Sequence, residues 1–320
     1  MQLTSWFATT WQYRQAEAIE QSFLKTPFIY WLRERGHVEN LSGYRQIEIP
    51  LDYGSNETVA WIGKGSTVPI QDSEIVTLAY EFWRYVACSI VRWMTEDQMN
   101  RGQAQAIRLV ETKLNAAERS LWEELERAMF ADGTGTNEPN GLQNLVPTAG
   151  DPTATSQQII HGLDRYTYAW WRTQQKTASG SAAVYLVSDM RTSMNNIVKY
   201  SRAEVKDICV VTDQNTYELY EDVCLEMKIL QNTTLADASF DSIQFKGRPI
   251  MWCPSCPSGN MYFLNPAHMK LYVDEENFMH MTEWKLIPDQ PEDRVAQILC
   301  TMNLVIKRAV DQLVLTGIAA

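Results

Sequence analysis

Cys253 and Cys256 are the side chains whose type and spacing most suggest chemistry. A Cys-x-x-Cys pair can supply half of a tetrahedral zinc site or act as a redox dithiol. No second Cys-x-x-Cys follows, and His268 and His280 do not have the usual spacing of a ligand pair. A redox dithiol would open a helix, whereas the prolines and the glycine here favour a turn. A tight turn between two strands within residues 245–265 is therefore favoured, and a zinc or thiol enzyme stays as an alternative.

Other catalytic signatures are missing from the sequence. The adjacent glutamates at 123–124 and 275–276 cannot act on one substrate, because neighbours on a helix point about 100° apart. The chain has no Gly-x-Ser-x-Gly, no Gly-x-x-x-x-Gly-Lys-Ser/Thr and no His-Glu-x-x-His segment. The glycines at 133–135 follow a helical pattern and are typical of a helix end. We therefore predict no catalytic residue, no cofactor and no resident metal.

Composition indicates an ordered protein of about two domains, with 45% hydrophobic residues among 320. The 39 acidic and 28 basic residues give a net charge of -11, the wrong sign for a protein that binds DNA by counterion release. The N-terminus lacks the features of a secretion signal, and charged residues interrupt the apolar run at 78–94. We expect neither export nor a membrane span. The six scattered cysteines are expected to be thiols, mostly buried, in a reducing cytoplasm.

A β-hairpin is predicted in the first quarter of the chain. Apolar and polar residues alternate from Ile47 to Tyr53, a turn follows at 54–57, and a second apolar run covers 58–62. Lys64 then stands between two glycines, where we expect its amine to be exposed. A two-stranded ribbon of this kind is only marginally stable alone.

Aromatic residues are frequent in the first 43 residues, where only 12–24 look helical. Together with the hairpin, this segment would give an isolated subunit more exposed apolar surface than a soluble monomer usually carries. We therefore expect a set of residues to contact neighbouring subunits: Trp6, Trp11, Trp61, Ile62 and Lys64.

A long helix and a mixed α/β region are predicted next. Residues 74–93 favour a long strand, with Val76, Leu78, Tyr80 and Phe82 on one parity, although a helix remains possible. Apolar residues recur every three or four positions over 103–130, which predicts a helix about 42 Å long. Further helices are expected at 156–176, 191–201 and 215–223, and further strands at 184–188, 208–212, 269–273 and 294–306.

Three segments occur in a particular order. The first is the helix over 103–130, which runs into Asp-Gly-Thr-Gly and then Asn-Gly-Leu-Gln-Asn-Leu-Val at 140–146. The second is Leu-Asp-Arg-Tyr-Thr-Tyr-Ala-Trp-Trp-Arg at 163–172, and the third is Phe-Lys-Gly-Arg-Pro-Ile at 245–250 with Tyr-Phe-Leu-Asn at 262–265. With the hairpin before them and Arg-Val-Ala at 294–296 after them, they resemble the major capsid proteins of tailed bacteriophages over nearly the whole chain.

The resemblance implies an α+β fold of the Hong Kong 97 type. It implies an N-terminal arm at 1–44, an extended β-hairpin loop at 45–73 that lies over an adjacent subunit, a peripheral domain with a long spine helix at 74–150, an axial domain at 151–260, and return strands to the peripheral domain at 261–320. The function implied is that of a structural, non-enzymatic subunit. Its hexamers and pentamers would assemble in the bacterial host cytoplasm into the icosahedral virion shell around a double-stranded DNA genome.

The resemblance also implies partners. These are other copies of the chain, a separate scaffolding protein and a portal during assembly, packaged DNA without sequence-specific contacts, and a decoration protein as an optional addition. A shell protein of an encapsulin-like nanocompartment, which encloses a cargo protein, is the alternative of related architecture.

Two family features concern single positions. Members with a cleaved scaffolding segment begin with a long charged helical region, whereas Met1 here leads directly into the arm, so we expect no maturation cleavage. Some members join a loop lysine to an asparagine of a neighbour. That makes Lys64 a candidate for such a link, but the sequence does not identify the asparagine.

Overall fold

The structure is a computed structural model. It describes residues 27–43, 45–54, 58–67, 70, 76–99, 109–135, 137–148, 158–200, 208–231, 244–290 and 292–319. The helix predicted at 12–24 lies outside these residues, as do Trp6 and Trp11.

The α-helices are α1 (Pro27–Glu34), α2 (Met94–Met99), α3 (Leu109–Met129), α4 (Leu142–Leu145), α5 (Ala182–Tyr200) and α6 (Gln214–Gln231). The first strands are β1 (Val38–Leu41), β2 (Gln46–Asp52), β3 (Val76–Phe82), β4 (Arg84–Arg92), β5 (Ile159–Ile160), β6 (Leu163–Asp164), β7 (Gln174–Thr177) and β8 (Cys209–Thr212). The later strands are β9 (Gln244–Phe245), β10 (Arg248–Trp252), β11 (Met261–Leu264), β12 (Met269–Met281), β13 (Lys285–Leu286), β14 (Arg294–Ile306) and β15 (Leu313–Thr316). Short 3-10 turns cover Ala169–Trp171, Pro266–His268 and Ala309–Asp311.

The chain divides into two compact units. One contains Val86–Glu124 and Met279–Cys300, and the other contains Lys25–Tyr85, Leu125–Phe278 and Thr301–Ala320. The mixture of helices and sheets confirms the predicted α+β class.

A six-stranded sheet in the order β7-β15-β11-β8-β10-β9 forms the core of the larger unit. All four residues of its central strand β8 are buried. Helix α5 packs on this sheet through residues spaced three or four apart, from Ala182 and Leu186 to Met194 and Ile197. The strand predicted at 184–188 is wrong, because this spacing continues through it and places it inside α5. The prediction of a helix at 191–201 is confirmed within the same element.

The strand, turn and strand predicted at 245–265 are confirmed, with one difference. Strands β10 and β11 do not pair with each other; β10 lies parallel to β8 and β11 lies antiparallel to it. The turn between them therefore crosses the end of β8 instead of closing a hairpin.

The helix predicted at 156–176 is wrong. This segment contains β5, β6, a 3-10 turn and β7. His161 and Gly162 have φ values of 52° and 75°, which lie in the left-handed region and cannot continue a right-handed helix. They instead form the tight turn between β5 and β6.

The long helix is confirmed over its described part as α3, with Leu121, Leu125 and Ala128 buried. It ends at Met129, close to the predicted stop. The Asp132 carboxylate then accepts hydrogen bonds from the Thr134 backbone N–H at 3.0 Å and the Thr134 hydroxyl at 2.7 Å. This local turn competes with further helix and accounts for the end of α3.

A second sheet has the order β1-β12-β14-β13, and β4 also pairs with β14. The strands predicted at 269–273 and 294–306 are confirmed as parts of β12 and β14. Strand β1 runs parallel to β12, with Val38 opposite Leu271.

Helix α1 is attached to the larger unit by the Glu126 side chain. Its carboxylate accepts hydrogen bonds from the backbone N–H groups of Phe28 and Ile29, each at 3.0 Å. The first turn of a helix has N–H groups without helical partners and a positive dipole end, so a carboxylate stabilises it there. Glu126 is only 1% exposed, and burial raises its pKa while the two backbone hydrogen bonds oppose that rise.

We predict that Glu126→Ala lowers the free energy of unfolding by about 1–3 kcal/mol, because two buried N–H groups lose their acceptor. Urea unfolding of the unassembled chain measures this change. Glu118→Ala, at an exposed position of α3, is the control and should change stability by less than about 0.5 kcal/mol. Equal effects of the two substitutions would contradict the capping role.

Candidate assembly surface

The predicted hairpin exists, but its second strand lies further along the chain. Strand β2 pairs antiparallel with β3, and Ile49 stands opposite Ala79. The strand predicted at 58–62 is wrong, because no strand is found in the described residues 58–67. β3 provides seven paired residues, and its small inward Ala79 leaves room for the large apolar side chains of β2.

One face of the hairpin anchors it to the larger unit. Ile47, Ile49 and Leu51 of β2 are buried, as the alternation predicted, and join Ala79 and Trp83. They pack in one cluster with residues from five other elements: Leu163, Trp171, Tyr272, Val305 and Ala309.

The opposite face of β3 is apolar and uncovered in the isolated chain. The prediction of a strand here is confirmed, but the predicted apolar parity points outward. Val76, Leu78, Tyr80 and Phe82 are between 40% and 66% exposed. A strand that carries apolar side chains on its outer face as well as on its packed inner face is usually covered by protein on both faces. Within the described residues of a single chain, that cover is incomplete.

The connection between β2 and β3 adds more exposed apolar side chains. Val59, Trp61, Ile62 and Ile70 all exceed half of their full exposure, and the Trp61 ring is entirely exposed. Soluble monomers rarely expose so many large apolar side chains close together in sequence. Trp61 and Ile62, predicted as contact residues, therefore lie on a surface suited to contact.

Lys64 occupies the tip of a small turn in the same connection. The Ser66 N–H donates to the Gly63 carbonyl at 3.1 Å, and the Gly63 N–H donates to the Ser66 hydroxyl at 3.2 Å. Gly65 has a φ of 87°, which a side chain would strain. The turn thus presents the Lys64 side chain to solvent, as predicted.

A buried polar network lies at the base of the hairpin. The Glu81 Oε2 atom accepts hydrogen bonds from His161 Nδ1 and Asn140 Nδ2, both at 2.8 Å. Asn303 continues the network, because its Oδ1 accepts from the Asn140 N–H at 3.1 Å and its Nδ2 donates to the Phe82 carbonyl at 2.8 Å. Four segments distant in sequence are joined by these bonds.

The geometry fixes the protonation of His161. Its Nε2 atom accepts the Ile306 backbone N–H at 3.1 Å, so the proton of the neutral ring is on Nδ1, where it is donated to Glu81. Burial raises the pKa of Glu81, whereas its hydrogen bonds from His161, the Phe82 N–H and Asn140 lower it, and the pKa is below its ordinary value. The carboxylate is the stable form of Glu81 in the folded chain.

Two of the segments that carried the family resemblance meet beside this network. The buried Arg165 guanidinium donates to the carbonyls of Asn144, at 3.2 Å, and Leu145. Burial lowers the pKa of Arg165 to about 9. A third segment is fixed nearby, because the Asn265 N–H donates to Gln312 Oε1 at 2.9 Å.

The two cysteines that first suggested chemistry form a buried turn. Cys253 and Cys256 are almost fully buried, and the Cys256 N–H donates to the Cys253 carbonyl at 3.1 Å. Burial raises the pKa of both thiols, and the nearby acids Glu126 and Asp213 raise it further. These conditions disfavour a reactive thiolate. Within the described ranges, no group of three His, Cys, Asp or Glu side chains is placed to hold a metal ion.

Comparison with known proteins gives a likeness in structure alone. No family model and no curated protein matches the sequence. The capsid asymmetric unit of cyanophage A-1(L) is similar with a TM-score of 0.73 and 14% identity, covering 98% of each chain. The capsid of a native GTA particle has a TM-score of 0.68 and 10% identity, covering 99% of this chain and 98% of that one. The SrpI encapsulin of Synechococcus elongatus PCC 7942 has a TM-score of 0.62 and 9% identity, covering 99% and 96%.

The chain has the Hong Kong 97-type capsid fold. The predicted fold is therefore confirmed. Among the helices that the structure describes, none combines the length and apolar character needed to cross a bilayer. Sequence reasoning missed the network beneath the capsid-fold hairpin, although one signal was available: Glu81 interrupts β3 on the parity opposite to its apolar residues.

We predict that Glu81→Gln lowers stability at pH 7 by about 1–3 kcal/mol. Glu81 Oε2 accepts from His161 and Asn140 and Oε1 accepts from the Phe82 N–H, so an amide NH2 in place of either oxygen faces a donor. The pKa of Glu81 in the folded state is below its ordinary 4.5. The stabilisation by the Glu81 carboxylate is therefore fully present above pH 4.5 and is lost as the pH falls through the folded-state pKa. Urea unfolding between pH 7 and pH 3 should therefore show a smaller acid loss in Glu81→Gln than in the wild type.

Glu48→Gln, on the exposed side of β2, is the matched control and should keep the wild-type pH profile. An identical acid loss in the wild type and in Glu81→Gln would contradict the assignment.

Proposed function

We propose that this protein is the structural major capsid protein of a tailed bacteriophage. Its hexamers and pentamers form the icosahedral head shell around a double-stranded DNA genome. The observation that carries the proposal is the apolar surface of the hairpin and its connection, on a fold whose similar solved structures include phage capsids. An assembled shell buries such a surface between copies of the chain.

The surface has the composition of an interface core. Trp61, Tyr80 and Phe82 belong to the aromatic types enriched at such cores. Lys64 is adjacent and supplies a charged rim. We propose that Trp61, Ile62 and Lys64 contact a neighbouring subunit, together with Trp6 and Trp11 of the N-terminal arm.

The partners and regions follow the same proposal. The partners are other copies of the chain, a scaffolding protein and a portal during assembly in the host cytoplasm, packaged DNA without sequence-specific contacts, and a decoration protein where one is used. The proposed regions are an arm at 1–44, an extended loop at 45–73, a peripheral domain at 74–150 with returning strands at 261–320, and an axial domain at 151–260. The net charge of -11 supports the DNA part, because an acidic wall does not hold packed DNA strongly.

An encapsulin-like nanocompartment is the second candidate function, favoured by the likeness to the SrpI encapsulin. Electron microscopy of purified particles separates the two. Large heads that contain DNA or carry tails support the phage function, whereas small shells with a protein cargo support the nanocompartment.

We predict that Trp61→Ser prevents particle formation without unfolding the subunit. The ring is entirely exposed in the isolated chain, so its loss costs little in subunit stability but removes an aromatic anchor from the contact. Sedimentation velocity and electron microscopy measure assembly, and thermal unfolding of the unassembled chain measures subunit stability. Trp61→Phe keeps an aromatic ring and should still assemble. Normal particles from Trp61→Ser would contradict the contact role.

A further inference from the structure

A cleft of about 600 Å³ lies beside the base of the hairpin, between the end of β1 and the start of β2. Three of its lining residues are apolar or aromatic, namely Leu41, Ile47 and Tyr272, and all three are part of the cluster that anchors the hairpin or pack against it. Pockets of roughly 300–1,000 Å³ are large enough to bury a small ligand. The cleft can therefore take one or two large apolar side chains and place them against an existing core.

One carboxylate of the cleft is available to an incoming cation. Glu48 is exposed, and its Oε1 atom accepts a hydrogen bond from Gln46 Nε2 at 2.6 Å. Glu48 forms no ion pair within the part of the chain that the structure describes. The other acidic lining residue, Glu39, is already paired with Lys270 and Lys307. An ammonium group that enters the cleft would therefore pair with Glu48.

The connection between β2 and β3 carries the groups that match this cleft. Trp61 and Ile62 are large, apolar and exposed, as an apolar floor requires. Lys64 follows them on its small turn, is exposed, and has no acidic partner among the described residues. The basic lining residue Arg45 is also exposed, and a guanidinium group stacks well on an indole ring such as that of Trp61. Apolar, anionic and cationic parts of the cleft thus each have a counterpart in the connection.

The connection of the same chain does not fill its own cleft. The Trp61 ring is entirely exposed, so it is not seated against the cleft floor. The cleft lies at the start of β2, near Gln46, whereas the connection leaves from the end of β2, after Asp52. These two ends are about 20 Å apart at roughly 3.3 Å per residue. A second copy of the chain is therefore the occupant that the two surfaces fit.

A second cleft of the larger unit matches the connection less well. Its volume is about 170 Å³, below the roughly 300 Å³ at which pockets begin to hold whole ligands. Its described lining residues include the basic Arg35, His37 and Arg248 and no acidic residue. Positive charges there would oppose Lys64. Charge and volume therefore both favour the cleft at the hairpin base.

We propose that the cleft at the hairpin base of one copy holds Trp61 and Ile62 of an adjacent copy, with Lys64 paired to Glu48. This inference rests on the proposed function and deepens it by naming the surface that receives the connection. The connection and the cleft are different patches of the chain, so the contact between two copies is heterologous. A heterologous contact closes into a ring when its rotation closes, which is the assembly that the proposed hexamers and pentamers need.

Crosslinking of a double variant, Lys64→Cys with Glu48→Cys, tests the proposal. Both positions are exposed in the isolated chain, so the variant should fold. A short bismaleimide applied to assembled particles should join the two new thiols across each contact. Because every copy takes part in one contact through each thiol, a denaturing gel should show a ladder that continues beyond the dimer. Each single variant is a control and should give mainly monomer.

The outcomes separate this inference from the proposed function. Particles of the double variant that give no more crosslinked product than the single variants would overturn the contact and leave the capsid function intact. A product that stops at the dimer would overturn the head-to-tail arrangement. Failure of the wild-type chain to form particles would contradict the capsid function, and this inference with it.

Charge reversal gives a second test, which also decides the matter if the double-cysteine variant does not assemble. Lys64→Glu should lower the particle yield in sedimentation velocity by about tenfold or more, because two carboxylates then face each other. Adding Glu48→Lys should restore most of the yield. Adding Asp52→Lys instead makes the same charge change at another exposed position of β2 and should not restore it. Equal restoration by the two second substitutions would overturn the pairing.

Discussion

The hairpin carries apolar side chains on both of its faces, and a single chain covers only one of them. The inward face of Ile47, Ile49 and Leu51 packs on the larger unit, whereas the outward face of Leu78 and Phe82 stays exposed. Apolar area removed from water contributes about 25 cal/mol per Å², so the uncovered face is a source of free energy for association. The isolated chain leaves this face uncovered, and in the proposed shell other copies of the chain would cover it.

Such association is specific only if the hairpin has a fixed orientation relative to the rest of its unit. The Glu81 network provides this, because β3 accepts hydrogen bonds from His161, Asn140 and Asn303, which hold the hairpin base at several points. A buried carboxylate without partners would be costly, but here its acceptor atoms are used. The network thus converts a marginal two-stranded ribbon into an element with one orientation, as the proposed shell would require.

The spacing of apolar residues in the sequence predicted those helices and strands in which burial repeats with one regular period. The spacing of Leu121, Leu125 and Ala128 predicted α3, and the alternation from Ile47 to Leu51 predicted β2. Prediction failed where tertiary contacts decide. A strand was predicted at 184–188, but α5 buries every third or fourth residue through this segment. The pairing of β2 with β3 instead of with residues 58–62 depends on a packing partner that alternation does not reveal.

The candidate surface and the network beneath it differ in the same way. Trp61 and Ile62 could be recognised from sequence because they are large apolar residues beside glycines in a segment with no periodic partner. The network could not be recognised as a set, since more than 200 residues separate Glu81 from Asn303 and only the tertiary fold joins them through Asn140. A buried polar network of this kind is decided by contacts between distant segments, which no local period of the sequence records.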